Sequence, residues 1–189
     1  MRDYWLLVAA SAVLTVGCGK SEPATETGSG AAATATAAIE GKLIDACTFL
    51  AKADLEPLVG HELRGGEPRD ASPPMSQCSF ETPTGSATTR TFPNPPLPDA
   101  AGFSQLTVTT FPTTKETFAQ SRNEMGAGSP VVTGVGDEAF FSGPAMIFVR
   151  KDGQGFSVRA YVDEPKTDAG RAKLQEVMIS LGEAGAAKL

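Results

Sequence analysis

The most reactive side chains in this sequence are three thiols, Cys18, Cys47 and Cys78, and a single imidazole, His61. A thiolate can attack a carbonyl, bind zinc, carry an acyl group or close a disulfide, and its surroundings decide which. Cys18 ends an apolar run and is followed at once by small and charged residues, whereas Cys47 and Cys78 lie within stretches patterned for folding. No Cys-x-x-Cys spacing occurs and there is only one histidine, so the sequence gives a metal centre little support. Cysteine-nucleophile chemistry would need an unoxidised thiol beside His61. A serine triad would also have to use His61, and no Gly-x-Ser-x-Gly elbow is present. His61 follows a helix-ending glycine in Val59-Gly60-His61-Glu62-Leu63, the setting of a surface loop residue.

The acidic groups are scattered. Asp137-Glu138 could contact a ligand or form half of a carboxylate pair, but glycoside hydrolysis needs two carboxylates about 5–10 Å apart across a sugar. Neighbours on one strand point to opposite faces, so the plainer reading is a turn after Gly136 feeding a strand. Residues 163–168, Asp-Glu-Pro-Lys-Thr-Asp, lack the ligand spacing and glycine of a calcium loop and read as a solvated loop before a helix. Residues 93–99, Pro-Asn-Pro-Pro-Leu-Pro-Asp, could present a polyproline II strip or simply form a rigid loop. Gly126-Ala-Gly-Ser-Pro130 lacks the Lys-Ser/Thr ending and the preceding strand of a phosphate loop. No catalytic residue, metal ligand or cofactor is assigned.

The N-terminal segment explains Cys18. Arg2 gives a short positive start, and Trp5 to Val16 are apolar or small. That run is shorter than the about 20 residues of a transmembrane helix but suits the apolar core of a secretory signal. It ends in Thr15-Val16-Gly17-Cys18, which resembles the lipobox of bacterial lipoproteins, with Thr15 where leucine is usual. The resemblance implies removal of residues 1–17 and acylation of Cys18, which then anchors the chain to a membrane. Two or more acyl chains anchor stably, at about 0.8 kcal/mol per buried methylene. Gly19 rather than aspartate follows the cysteine. This resembles the pattern sent to the outer membrane, facing the periplasm, in a two-membrane source, or outward from the cytoplasmic membrane in a one-membrane source.

With Cys18 lipidated, Cys47 and Cys78 remain as a pair in an oxidising compartment. A bridge between them would close a loop worth roughly 3–4 kcal/mol. Two buried thiols or half a metal site are the rival readings. The formal net charge is −6, unchanged by removing residues 1–17 because Arg2 and Asp3 cancel. An acidic surface argues against sequence-independent nucleic-acid binding and gives no attraction to anionic lipid. At 41% apolar and 20% charged residues, the composition is that of a globular domain.

Those positions need elements to hold them. Residues 18–38 are rich in Ala, Thr, Ser and Gly, with little to bury, and read as a disordered tether. As a flexible coil it would hold the domain on the order of 25 Å from the bilayer. Residues 39–189 should form one domain. Ile44, Cys47, Leu50 and Ala51, then Leu55, Leu58 and Val59, follow helical spacing. Pro57 divides this stretch into two short helices, the second starting near Ala53 or Asp54 with Pro57 in its first turn, and Gly60 stops it. Strands are expected weakly at Glu62–Glu67 and clearly around Cys78 and Phe80. Residues 88–92 could pair back on the latter across a Pro83–Gly85 turn. Leu106 and Val108 alternate with Thr107 and Thr109, a half-buried strand. Thr113 to Glu116 has capping-box spacing for a helix running to Met125 and ending at Gly126. Two further strands and a hairpin turn at Asp152–Gly155 lead into Phe156, Val158, Ala160 and Val162 on one face. Asp168 is placed as the N-cap of a last helix with Leu174, Val177, Met178 and Leu181 in one stripe. Strand–helix–strand units do not recur, so the expected class is α+β, a mostly antiparallel sheet packed with about three helices.

Taken in order, Cys47-Thr48-Phe49-Leu50, Val59-Gly60, Cys78-Ser79-Phe80 and Gly134-Val135-Gly136-Asp137-Glu138-Ala139 resemble a family of uncharacterised bacterial lipoproteins best known in actinobacteria. The similarity spans most of residues 44–185, with Phe49 in place of the usual leucine. It implies an extracytoplasmic location, the disulfide and a PsbP-like fold, and it brings no reaction or ligand. The functional expectation is a non-enzymatic, lipid-anchored domain that binds an envelope protein or a small-molecule ligand. The alternatives are an envelope hydrolase using scattered carboxylates and a structural accessory of an envelope complex.

Overall fold

The computed structural model describes residues 42–83, 104–129, 131–162 and 167–189. Along them run α1 (Ala46–Phe49), α2 (Lys52–Val59), β1 (Arg64–Arg69), β2 (Ser76–Glu81), β3 (Gln105–Pro112), α3 (Lys115–Met125), β4 (Val131–Val132), β5 (Glu138–Phe141), β6 (Met146–Lys151), β7 (Gln154–Tyr161) and α4 (Asp168–Ala186). The described strands form one sheet in the order β1-β2-β3-β7-β6-β5-β4, and every pairing is antiparallel. The α+β class therefore stands. Two meanders meet at β3 and β7, which pair without a break from Gln105↔Tyr161 to Pro112↔Gln154.

Alternation along the strands creates two unlike faces. Cys78 and Phe80, Leu106 and Val108, Phe156 and Val158, and Ile147 and Val149 point to one side and are buried. Phe49 and Leu50 at α1, Leu55 and Val59 of α2, and the α4 stripe of Leu174, Val177, Met178 and Leu181 complete that core. On the opposite face α3 docks through Phe118, edge-on to Phe140 at 5.2 Å, with Phe140 stacked on Phe148 at 4.9 Å.

Local chemistry sets the helix ends. Asp45 Oδ1 accepts from Cys47 N–H at 2.8 Å and starts α1, while Asp54 Oδ2 accepts from Ala51 N–H at 2.9 Å and starts α2. Because α2 begins at Lys52, earlier than expected, Pro57 falls in its second turn rather than its first. Gly60 closes the helix in a left-handed conformation, as expected. Two expected caps shift by one residue. Thr113 N–H donates to Gly153 O and prolongs the β3–β7 contact, so Thr114 becomes the cap of α3 and accepts from Thr117 N–H. Thr167 caps α4 by accepting from Gly170 N–H, which leaves Asp168 as the first helical residue, where its charge suits the helix dipole. Asp152 and Gly153 both have positive φ, the two-residue hairpin turn whose twist matches that of its strands. Residues 88–92 lie outside the described residues. The strand expected to pair with them has both edges occupied, since β2 lies between β1 and β3 from Gln77 to Glu81.

Cys47 and Cys78 form a disulfide, with Cα atoms 5.0 Å apart, that joins α1 to β2. Replacing both by alanine should lower unfolding free energy by about 3–4 kcal/mol, read from denaturant midpoints at equal slope. A small residue is equally constrained on α4, where a Cβ on Gly185 would stand 2.4 Å from Phe156 Cζ. Alanine would gain about 1 kcal/mol of helix propensity and lose about 1–3 kcal/mol to overpacking. Gly185→Ala should therefore lower the melting temperature; an unchanged or raised value would show that α4 can shift without cost.

Candidate functional site

The Gly134–Ala139 motif builds a brace rather than a reaction centre. Gly136 has φ 59°, and a Cβ there would lie 2.7 Å from Arg150 O, so the turn needs glycine for both conformation and close approach. Val135 between the glycines is buried in the core. Asp137 N–H donates to Arg150 O at 2.8 Å, and its Oδ2 accepts from Asp152 N–H at 3.1 Å. The Arg150 guanidinium, largely buried, lies 3.3 Å from Asp137 Oδ2 and 3.6 Å from Glu138 Oε1. The turn before a strand is thus as expected, but the two carboxylates do not diverge. Asp137 sits in the turn ahead of β5, where strand alternation does not yet apply, and both acids converge on one cation.

The other predicted positions separate in the same way. Cys47 and Cys78 are joined to each other, which closes the thiol and metal-ligand readings for both. His61 sits between α2 and β1 and is half-buried rather than fully at the surface, and burial pushes its pKa below the ordinary 6.5. Two residues on, Leu63 N–H donates to the buried Glu56 carboxylate at 2.9 Å, with Lys52 Nζ 3.4 Å from the same oxygen. Glu56 thereby ties the loop carrying His61 to α2, a role its place in the α2 sequence did not announce. Cys18, residues 93–99 and residues 163–166 lie outside the described residues. Among the described residues no helix is long and apolar enough to cross a membrane.

A cleft of about 380 Å³ opens where the β5–β6 turn meets the end of β7. Ser142, Pro144, Ala145, Met146, Arg159 and Tyr161 line it. Met146 and Arg159 are direct cross-strand partners, and Ala160 N–H donates to Ala145 O beneath them. The Arg159 guanidinium carbon lies 4.6 Å from the centroid of the Tyr161 ring. Arg159 is exposed and takes part in none of the ion pairs among the described residues. Sequence reading did not single out these residues. The signal available was Arg159 and Tyr161 two apart on the outward side of a strand whose inward residues are Val158 and Ala160. A second groove of about 320 Å³ runs past Asp137, Lys151 and Glu183, but Lys151 Nζ already donates to Ala186 O at 2.8 Å at the end of α4. That lysine serves the helix terminus, where a cation offsets the carbonyl dipoles.

No protein-family model, curated protein or solved structure matches this chain. The fold is accordingly described by its own topology, and the PsbP-like expectation is not carried further.

Acid should unfold the domain in two steps. Burial lowers the His61 pKa, so between that value and 6.5 the unfolded chain binds more protons, and stability falls as pH drops through this window. Asp54 is held below its ordinary 3.8, mainly by its hydrogen bond to Lys188 Nζ at 2.5 Å, and burial partly offsets that effect. Its contribution is present above 3.8 and is lost as pH falls through the lowered value. His61→Gln should flatten the upper step and Asp54→Asn the lower one in melting temperatures measured from pH 8 to 3. If neither variant changed the profile, these two groups would not be the titrating ones.

Proposed function

We propose that this chain is a lipid-anchored extracytoplasmic domain that binds a ligand or an envelope partner without transforming it. The Cys47–Cys78 disulfide carries the reading. Disulfides persist in oxidising compartments, and this one leaves Cys18 as the odd thiol at the end of a signal-like apolar run. Acylation of Cys18 accounts for a cysteine at that position, and residues 18–38 would then serve as the tether. In a two-membrane source Gly19 favours the outer membrane, facing the periplasm; in a one-membrane source the domain faces outward.

Binding is favoured over hydrolysis by what the reactive groups already do. Asp137 and Glu138 brace Arg150, the two domain thiols are bonded to each other, and Glu56 holds the loop at Leu63. The cleft at Arg159 and Tyr161 offers recognition groups instead, within the size range of small-ligand sites.

Chain extracted from its own membrane should have lost residues 1–17 and gained acyl mass on Cys18 in denaturing mass spectrometry. Cys18→Ser should carry no acyl mass and keep residues 1–17. Membrane-bound chain without acyl mass on Cys18 would refute lipid anchoring through this residue.

A further inference from the structure

We infer that the cleft between the β5–β6 turn and the end of β7 binds a small carboxylate with an apolar body, using Arg159 as its anion receptor. This rests on the binding-domain reading and names the ligand class. The guanidinium carbon lies 4.6 Å from the Tyr161 ring centroid, and a ring face holds a guanidinium without using its N–H donors. A planar fork held this way suits bidentate recognition of a carboxylate. Ser142 lines the same cleft. The remaining walls are Pro144, Ala145 and the Met146 side chain, whose thioether adapts to irregular apolar shapes.

The same geometry argues against two other ligand classes. A sugar would use an exposed aromatic face for stacking, and the guanidinium already covers one face of Tyr161. A cation would meet Arg159 with no carboxylate among the cleft's described lining residues to compensate. An anion meets complementary charge in a chain whose net charge of −6 otherwise repels it, so the selectivity is local to this site. An apolar body is required because a short-range guanidinium contact at an exposed site is weak alone.

The test uses the full chain in nanodiscs of zwitterionic lipid, with methionine methyl groups labelled for NMR. Met146 reports the cleft, and Met75 and Met125 serve as controls elsewhere on the surface. Benzoate and hexanoate are titrated against benzamide and hexanamide. The expected result is a saturable shift of the Met146 methyl with the carboxylates and none with the amides. Arg159→Gln should weaken binding by about 10- to 100-fold, since a charge-assisted hydrogen bond is lost. Arg159→Lys should recover only part of it, because a point charge lacks the fork. Equal shifts from acids and amides would overturn the anion receptor while leaving a binding cleft. No saturable Met146 shift with either acid would overturn the carboxylate assignment. Failure of the anchored-domain reading would show separately, in the absence of acyl mass on Cys18, which Arg159 does not affect.

Discussion

The pairing of β3 with β7 is the constraint on which the rest of the structure hangs. It joins residues 105–112 to residues 154–161 over eight matched positions and, among the described strands, is the seam between the β1-β2-β3 and β4-β5-β6-β7 meanders. Such a contact is non-local, so its loop-closure entropy must be met before the core forms. The register is enforced by composition. A slip of one residue would turn Leu106, Val108, Phe156 and Val158 toward the polar side and bring Thr107, Thr109, Ser157 and Arg159 into the core. No helix could then find an apolar surface to cover. The same alternation delivers Arg159 and Tyr161 outward, so the cleft is a by-product of the register that buries Val158 and Ala160.

The two faces that this seam creates are stabilised by different means. On one, α1, α2 and α4 cover a continuous apolar layer, and the disulfide fastens the short α1, which at one turn could not persist alone. On the other, α3 is held by one aromatic side chain, Phe118, inserted beside Phe140 and Phe148. Between that cluster and the β1 edge the face carries hydroxyl and amide groups. Gln77 Nε2 donates to Thr109 Oγ1 at 3.1 Å, and Gln105 Nε2 donates to Ser79 Oγ across neighbouring strands. These bonds keep buried polar atoms satisfied without extending the apolar core.

Periodicity made most of the architecture legible. The α4 stripe, the alternation in β3 and the hairpin into β7 each repeat often enough that neighbouring side chains agree on one face. Errors fell where a single residue had to decide. Thr113 and Thr114 are equally good caps on paper, and only the Gly153 carbonyl across the sheet draws Thr113 into the strand register. Pro57 was placed in a first turn because proline is tolerated there, but Asp54 captures the Ala51 N–H and starts the helix earlier. The Asp137–Glu138 pair was read through strand alternation, which begins one residue later than assumed. The cleft was illegible for a different reason. Ser142, Met146, Arg159 and Tyr161 come from a turn and two strands, and no spacing along the chain announces that pleat and hairpin will gather them.

Charge placement separates structural from recognition groups. Arg150 answers two carboxylates, Lys188 answers Asp54, and Lys151 answers the carbonyl end of α4; each has its partner built in. Arg159 differs in kind. Its neighbour is a ring, which orients a cation without neutralising it, and its charge faces a cleft with apolar walls. Carboxylates outnumber cationic side chains by six in this sequence, 22 against 16, yet none of the ion pairs among the described residues uses Arg159. The pleat sets Arg159 beside Met146 and Thr107 across the strands, and neither can accept its charge. A guanidinium that a ring orients keeps its attraction for an anion from outside, which is the property a receptor needs and a structural brace must lack.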